Sequence, residues 1–297
     1  MARAAIQRLP NVQDLPPQQA RKIRQKFDKY VAELCAFREN LDLIHDPKII
    51  FDPANSDTIG RLVAIALLVQ DRIPLAQISA TYGSGIYAIY YEGPHPAYSE
   101  ISGKETPIYV GKADPKDSKA LTPREQGPQL FTRLAEHRKA IQAVESHALA
   151  NALENSIKVE DFTCRKLVCA TNAQLAVERL LIGIFNPVWN QEGKICFGIS
   201  KHGDSSNTRQ NNKSPWDVLH PGRSWALPSP VKNGMIADTI MAALAKHFTT
   251  YIPVPDLYAA NEKITDSLRQ FGRTSAALSE AAARDEEVTS IMDNISE

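Results

Sequence analysis

One glutamate interrupts an otherwise apolar helical stripe in the second half of the chain. Glu178 has Leu175, Leu181 and Ile182 on its own side of a predicted helix. Burial of an ionised carboxylate is costly unless a cation or several hydrogen-bond donors compensate it. A divalent metal would compensate the cost. An ion pair or a position at the edge of the stripe would do the same, and is the simpler interpretation of this residue taken alone.

Arg133 and His137 stand four residues apart, so both side chains project from one face of a predicted helix. A guanidinium offers fixed positive charge to a phosphate, and an imidazole titrates near neutral pH. The pair therefore suits a site that hydrolyses phosphodiesters. A surface pair without a role in chemistry is the alternative.

Two tyrosines lie on short predicted strands, Tyr87 in Gly85-Ile-Tyr87 and Tyr109 in Tyr109-Val-Gly111. A tyrosine acts as a general base only when its pKa, about 10 in water, falls toward neutrality. Lys112 or a metal-bound water is expected to produce that fall. Taken alone, each tyrosine is better explained as a packing residue with a hydrated hydroxyl.

Alternating helices and strands are predicted to position these residues. The hydrophobic pattern indicates strands over 86–91, 107–111 and 161–170, and helices over 18–40, 60–69, 130–144 and 234–249. A capping box formed by Thr171 and Gln174 opens the helix that carries Glu178, and Pro187 ends it. Residues 112–127 are predicted to form a long loop, and two helical patches follow at 264–271 and 276–283.

Composition excludes several classes of protein. With 43% hydrophobic and 23% charged residues, the chain of 297 residues is typical of a soluble globular protein. We find no apolar run of membrane-spanning length and no signal peptide, which predicts a cytoplasmic protein without a membrane partner. The four cysteines form no CxxC pair. Zinc ligation by Cys164 and Cys169 is conceivable, but a role as small apolar residues of a strand is favoured, because no His or Cys pair lies nearby at ligand spacing.

Charge is distributed unevenly along the chain. Its 34 basic and 34 acidic residues cancel, but residues 256–297 hold four basic and nine acidic residues and so carry a net charge of −5. The rest of the chain therefore carries +5, which leaves room for a phosphate-binding face.

The order of these signals is more specific than any one of them. Gly-Ile-Tyr, Tyr-Val-Gly-Lys, Arg-x-x-x-His, a helical Glu and Pro-Val-Trp-Asn follow one another, ending at Asn190. This order resembles the GIY-YIG nuclease family. The doubled tyrosine at 90–91, the extended motif at 107–113 and the segment 216–225 resemble its type II restriction endonuclease branch, so that the resemblance covers about residues 83–226.

The resemblance implies an α+β fold, with a small three-stranded antiparallel sheet flanked by helices. It suggests an N-terminal helical extension over 1–80, a catalytic core with DNA-recognition loops over 81–232, and a C-terminal helical extension over 233–297 that serves oligomerisation.

Residue roles follow from the same resemblance. Tyr87 is implied as the general base or the residue that orients the attacking water, with Lys112 lowering its pKa, and Tyr109 as the partner that positions the scissile phosphate or the water. Arg133 would stabilise charge on the phosphoryl oxygens. Glu178 would hold a single Mg²⁺. His137 would contact the phosphate or aid proton transfer, and Asn190 would brace the site by hydrogen bonding.

The implied substrate is double-stranded DNA. Cleavage would occur at a GC-rich palindrome such as CCGCGG, leave 5′-phosphates, and require a homodimer or higher homo-oligomer. A bacterial host would carry a cognate DNA methyltransferase. The residues expected to contact DNA are Lys116, Lys119, Arg124, Lys201, Arg209, Asn211, Lys213 and Arg223. A homing or repair endonuclease and an inactive DNA-binding protein on the same scaffold are the alternatives.

Overall fold

A computed structural model describes residues 15–41, 55–170, 174–190, 194–200, 213–231 and 236–266. The chain divides into two compact units, residues 1–50 and 51–297. The described part of the first unit is one long helix, α1 (Pro17–Leu41). None of the described helices has the length and apolar character needed to cross a membrane.

The second unit is built on a fully antiparallel sheet in the order β1-β4-β2-β3. The strands are β1 (Ile73–Pro74), β2 (Gly85–Tyr91), β3 (Tyr109–Ala113) and β4 (Phe162–Val168). The predicted α+β class is confirmed. The sheet has a fourth strand beyond the three predicted, because the two residues of β1 are too few to show an alternating pattern.

Both faces of the sheet are covered, which explains why all seven residues of β2 are buried. Alternate residues point to opposite faces. Tyr87, Ile89 and Tyr91 join one core, which includes the apolar residues of α4 (Gln129–Ala150). Ile86, Ala88 and Tyr90 join a second core with α2 (Ser56–Leu68) and α5 (Gln174–Phe185).

The remaining helices are short or peripheral. They are α3 (Pro123–Gln126), α6 (Pro215–Leu219), α7 (Ala237–Thr250) and a helix described over residues 257–266. The capping box of Thr122 and Glu125 makes α3 an ordered turn within the predicted long loop. Thr171, the predicted cap of α5, lies outside the described residues, as do residues 276–283.

The two extensions contribute to the core of the second unit. Helix α2 packs against α5, with Gly60 facing Ala176 at the contact. Val254, Ala260 and Ile264 are buried in the second core. The predicted domain limits at residues 80 and 232 remain a prediction.

Candidate active site

Tyr87 and Tyr109 point to the same face of the sheet. In the β2–β3 register Tyr87 lies opposite Gly111 and Ile89 lies opposite Tyr109, so the tyrosines are diagonal neighbours. Their ring centroids are 6.1 Å apart. Both rings are buried beneath α4. The fixed register of two adjacent strands thus sets the spacing between the two hydroxyl groups.

Gly111 is the residue that makes this tyrosine pair possible. A Cβ atom at this position would overlap the Tyr87 hydroxyl and lie 2.7 Å from Cε1 of Tyr109. Real Cβ atoms do not approach other heavy atoms this closely, and both rings are held by the surrounding core. Glycine is therefore required here by the packing of both tyrosines.

We expect Gly111→Ala to displace one or both tyrosine rings and to slow DNA cleavage about 100-fold, because small misplacements of reacting groups cost rate steeply. Single-turnover cleavage of a DNA substrate checks this. Gly103→Ala is a control for the loss of a glycine, because a Cβ there would meet no other atom within 4 Å, although its positive φ of 72° adds backbone strain. A Gly111→Ala enzyme as fast as wild type would contradict the packing argument.

His137 is bonded directly to Tyr87. Its Nε2 lies 2.8 Å from the Tyr87 hydroxyl, and its ring centroid lies 4.8 Å from that of Tyr109. Burial, followed by the positive charges of Arg133 and Arg223, lowers the pKa of His137 to about 3. The imidazole is therefore neutral, and a neutral imidazole has one nitrogen able to accept a hydrogen bond. Nδ1 is buried without a hydrogen-bond partner among the described residues.

The pKa of Tyr87 is raised well above its ordinary value. Burial is the main cause, and the nearby Tyr109 and Glu178 add to it, whereas Arg133 acts in the opposite direction. The expected fall is absent, because burial outweighs the positive charge of Arg133. The Lys112 ammonium pairs with Asp114. The Tyr87 hydroxyl thus stays protonated and is held in direction by its hydrogen bond to the neutral His137 ring.

Arg133 reaches from α4 toward both tyrosines. Its guanidinium donates to Glu136 over 2.8 Å and to the Ser200 hydroxyl over 3.3 Å. The pKa of Tyr109 is raised by burial, while Ser200 and then Arg133 favour its ionised form. Ser200 therefore contacts Arg133 and acts on Tyr109. It was not among the predicted site residues, because a serine in a polar run carries no distinguishing pattern.

Arg223 holds the backbone that precedes Ser200. Its guanidinium binds both carboxylate oxygens of Asp217 over 2.7 and 2.8 Å and donates to the carbonyl oxygens of Gly198 and Ile199 over 2.7 and 3.3 Å. Its side chain is only 7% exposed. The expectation that Arg223 contacts DNA is therefore not supported by its position. Arg223 instead links α6 to the described segment 194–200, which ends at Ser200.

Asn190 braces the edge strand between the tyrosine and the glycine of the motif. The Val110 amide donates to Asn190 Oδ1 over 2.9 Å, and Asn190 Nδ2 donates to the Val110 carbonyl oxygen over 2.8 Å. The side chain thus takes the place of a neighbouring strand at this point of β3. Loss of either bond would leave a buried backbone group unsatisfied.

Glu178 lies beside the tyrosines at one side of an open cavity of about 930 Å³. Its negative charge raises the pKa of both Tyr87 and Tyr109, so its carboxylate lies within electrostatic reach of each hydroxyl. Lys112 from β3, Arg179 from α5 and Lys246 from α7 line the same cavity. One carboxylate therefore faces a space surrounded by cations, large enough for a strand of nucleic acid.

This arrangement fits a single Mg²⁺. The described residues hold no cluster of three or more His, Cys, Asp or Glu side chains suited to a fully protein-ligated metal. Mg²⁺ commonly takes one or two carboxylates and completes its shell with water and substrate phosphates. A half-buried carboxylate on an open cavity supplies that kind of partial donor set.

The predicted DNA-contact residues are placed differently from one another. Lys116, Lys119 and Arg124 are exposed in the segment between β3 and α4, and Arg124 stacks over the Tyr82 ring at 5.3 Å. Lys213 is half-buried. Lys201, Arg209 and Asn211 lie outside the described residues.

Comparison with known proteins agrees with the geometry of the site. Residues 79–248, more than half of the chain, match the family model described as the Eco29kI GIY-YIG domain, a family of type II restriction endonucleases. No protein of curated function matches the chain. The matched region contains every site residue described above, from Tyr87 to Arg223. The chain therefore belongs to the Eco29kI GIY-YIG nuclease family.

Proposed function

We propose that this nuclease is a type II restriction endonuclease that hydrolyses phosphodiesters in double-stranded DNA with the aid of Mg²⁺. The observation that carries the proposal is the hydrogen bond between Tyr87 and His137 beside Arg133 and Glu178. Tyr87 can orient a water there, Arg133 supplies fixed positive charge, and the Glu178 carboxylate would hold Mg²⁺. These three functions support the hydrolysis of a phosphodiester.

Tyr87 and His137 together position the attacking water. The water oxygen forms a bond to phosphorus as the bond from phosphorus to the 3′ oxygen breaks, which leaves a 5′-phosphate. The Tyr87 oxygen accepts a hydrogen bond from the water while its own proton is held by Nε2 of His137 over 2.8 Å, and the proton that the water loses passes to solvent in the open cavity. The tyrosine stays protonated and the histidine stays neutral, which are the states that the raised pKa of Tyr87 and the pKa of about 3 of His137 favour.

Arg133 and Tyr109 act on the phosphate. The Arg133 guanidinium offsets the negative charge that grows on the phosphoryl oxygens, and the Tyr109 hydroxyl positions the phosphate or the water. Glu178 would hold Mg²⁺, which supplies positive charge at the leaving 3′ oxygen when bound. Lys112 lines the cavity with Glu178 and is placed to neutralise a DNA phosphate there.

The path of the DNA would run from this cavity over the exposed cations of the β3–α4 segment. Lys116, Lys119 and Arg124 supply phosphate contacts on that side, and Arg179 and Lys246 supply them along the cavity. We propose a homo-oligomer, at least a dimer, that cuts a GC-rich palindrome such as CCGCGG. A cognate methyltransferase would protect the host DNA.

We expect Ser200→Ala and Arg223→Lys each to lower the single-turnover cleavage rate about tenfold with little change in the dissociation constant for DNA. Lysine cannot bind both Asp217 oxygens and two carbonyl oxygens as the guanidinium does. Because Arg223 holds Ser200 in place, the double variant should be no slower than Arg223→Lys alone.

Arg165→Lys is the matched control, since Arg165 makes a comparable buried ion pair with Glu105 in another part of the sheet. It should lower the unfolding temperature and spare the cleavage rate. If the rate losses of Ser200→Ala and Arg223→Lys multiply in the double variant, Arg223 does not act through Ser200. A weaker DNA affinity without a change in rate would lead to the same conclusion.

The proposed function is tested by incubating plasmid DNA with the protein in Mg²⁺ or in EDTA. Discrete linear fragments in Mg²⁺ alone support restriction. Nicked plasmid without fixed fragments would instead indicate a repair-type nuclease. DNA binding without cleavage in either buffer would indicate an inactive protein on the same scaffold.

A further inference from the structure

Helix α1 carries an apolar stripe from Ile23 to Leu41 that is exposed in the described part of the chain. The exposed fractions of its apolar residues include 60% for Phe27, 64% for Tyr30, 68% for Leu34 and 62% for Phe37. Ile23 and Leu41 extend the stripe at 47% and 68%. Contiguous exposed apolar surface of this kind marks an interaction site in soluble proteins. The helix lies outside residues 79–248, so the family match does not account for it.

The spacing of the stripe identifies the kind of partner. Residues 23, 27, 30, 34, 37 and 41 are separated by four, three, four, three and four positions. This is the a and d pattern of a heptad repeat, in which Phe27, Leu34 and Leu41 take a positions. A repeat of 3.5 residues keeps its seam facing a second helix, whereas a helix that packs on a globular core shows a broader stripe.

We propose that α1 forms a parallel, two-stranded coiled coil with α1 of a second copy of this chain. The stripe runs from residue 23 to residue 41, so the seam would be roughly 27 Å long at 1.5 Å per residue. This inference deepens the proposed homo-oligomer, and rests on that part of the proposed function, by assigning it an interface outside the nuclease domain.

Charges beside the seam favour two parallel strands. Glu33 falls at a g position and Arg38 at the e position five residues later, which face each other across a parallel dimer. In an antiparallel pair, Glu33 would meet its own copy and Arg24 would meet Arg38. Arg24 and Lys26 at e and g positions remain hydrated beside a two-stranded seam but would be desolvated in larger bundles.

The interface is tested with the full-length chain by sedimentation equilibrium across nanomolar to micromolar concentrations. We expect a dimer whose dissociation constant rises at least about 100-fold in Phe27→Glu/Leu34→Glu. Gln25→Glu/Ala32→Glu, which adds the same two negative charges at outward f positions, is the matched control and should leave the constant unchanged. A monomeric wild type, or a double variant as dimeric as wild type, would overturn the proposal.

The orientation has a separate test by charge reversal. Glu33→Arg and Arg38→Glu should each raise the dissociation constant about two- to fivefold at low salt, and combining them should restore it. Failure of the combination to restore it would overturn the parallel arrangement. If the stripe instead covers the core of its own chain, Phe27→Glu/Leu34→Glu would lower the unfolding temperature and leave the dimer intact, which also overturns the proposal.

Plasmid cleavage on the same samples keeps the two proposals apart. A wild type that dimerises through α1 but cuts no DNA would refute the nuclease proposal and leave this interface standing. A wild type that cuts DNA, together with α1 variants that are as dimeric as wild type, would support the nuclease proposal and refute this interface.

Discussion

Glu178→Ala is expected to lower the rate of DNA cleavage by about a thousandfold or more while leaving the affinity for DNA largely unchanged. Glu178 is the carboxylate that lines the cavity and acts on both tyrosines. Its removal takes away the proposed Mg²⁺ ligand and the charge stabilisation at the leaving oxygen. DNA affinity comes mainly from cations that contact phosphates, and these remain.

The measurement pairs single-turnover cleavage in Mg²⁺ with fluorescence anisotropy of DNA binding in EDTA. Glu145→Gln is the control, because Glu145 is a glutamate of α4 that accepts a hydrogen bond from the Val159 amide far from the tyrosines. It should leave cleavage unchanged. Lost folding or lost DNA binding in Glu178→Ala would count against the metal role and favour a structural ion pair.

Tyr87→Phe is expected to slow cleavage about 10²-fold, because the attacking water loses the hydroxyl that positions it. The substitution deletes one oxygen from a buried ring, and it removes the only described hydrogen-bond partner of the His137 ring. Packing around the ring stays nearly the same, so the loss should appear in the rate of the chemical step rather than in folding.

Tyr90→Phe is the matched control for this prediction. Tyr90 lies on the same strand as Tyr87 but belongs to the other core, where the Arg72 guanidinium stacks over its ring at 4.0 Å. Loss of the Tyr90 hydroxyl should leave the cleavage rate within about twofold of wild type, because the groups around Tyr90 do not act on the substrate. Equal losses in Tyr87→Phe and Tyr90→Phe would mean that the hydroxyl at 87 has a packing role only.

Local patterns were sufficient to predict the elements that carry the site. The strand of Tyr87 and the helices of Arg133 and Glu178 follow from alternation and helical spacing within short windows. Their order along the chain then indicated the family, which the match over residues 79–248 confirms. Which strands pair with one another could not be inferred from short sequence windows, and the two-residue strand β1 was therefore not predicted.

Contacts between residues that are far apart in the chain could not be predicted from the sequence. Arg223 looked like a DNA contact because it sits in a basic, polar stretch. Its actual partners are a carboxylate six residues away and carbonyl oxygens 24 and 25 residues away. Likewise the pKa of Tyr87 depends on how deeply the sheet is covered, which no local pattern reports. The expected fall of the Tyr87 pKa is therefore not found. The Tyr87 hydroxyl instead shares a hydrogen bond with His137, which lies 50 residues later in the chain.

The central claim is that these residues form a site-specific, metal-dependent DNA-cutting centre. Sequencing the ends of plasmid DNA cut in Mg²⁺ tests it most directly. The proposed chemistry predicts 5′-phosphates at one fixed position on each strand of a single palindromic sequence. Ends scattered over many sequences, ends carrying 3′-phosphates, or uncut plasmid would contradict it.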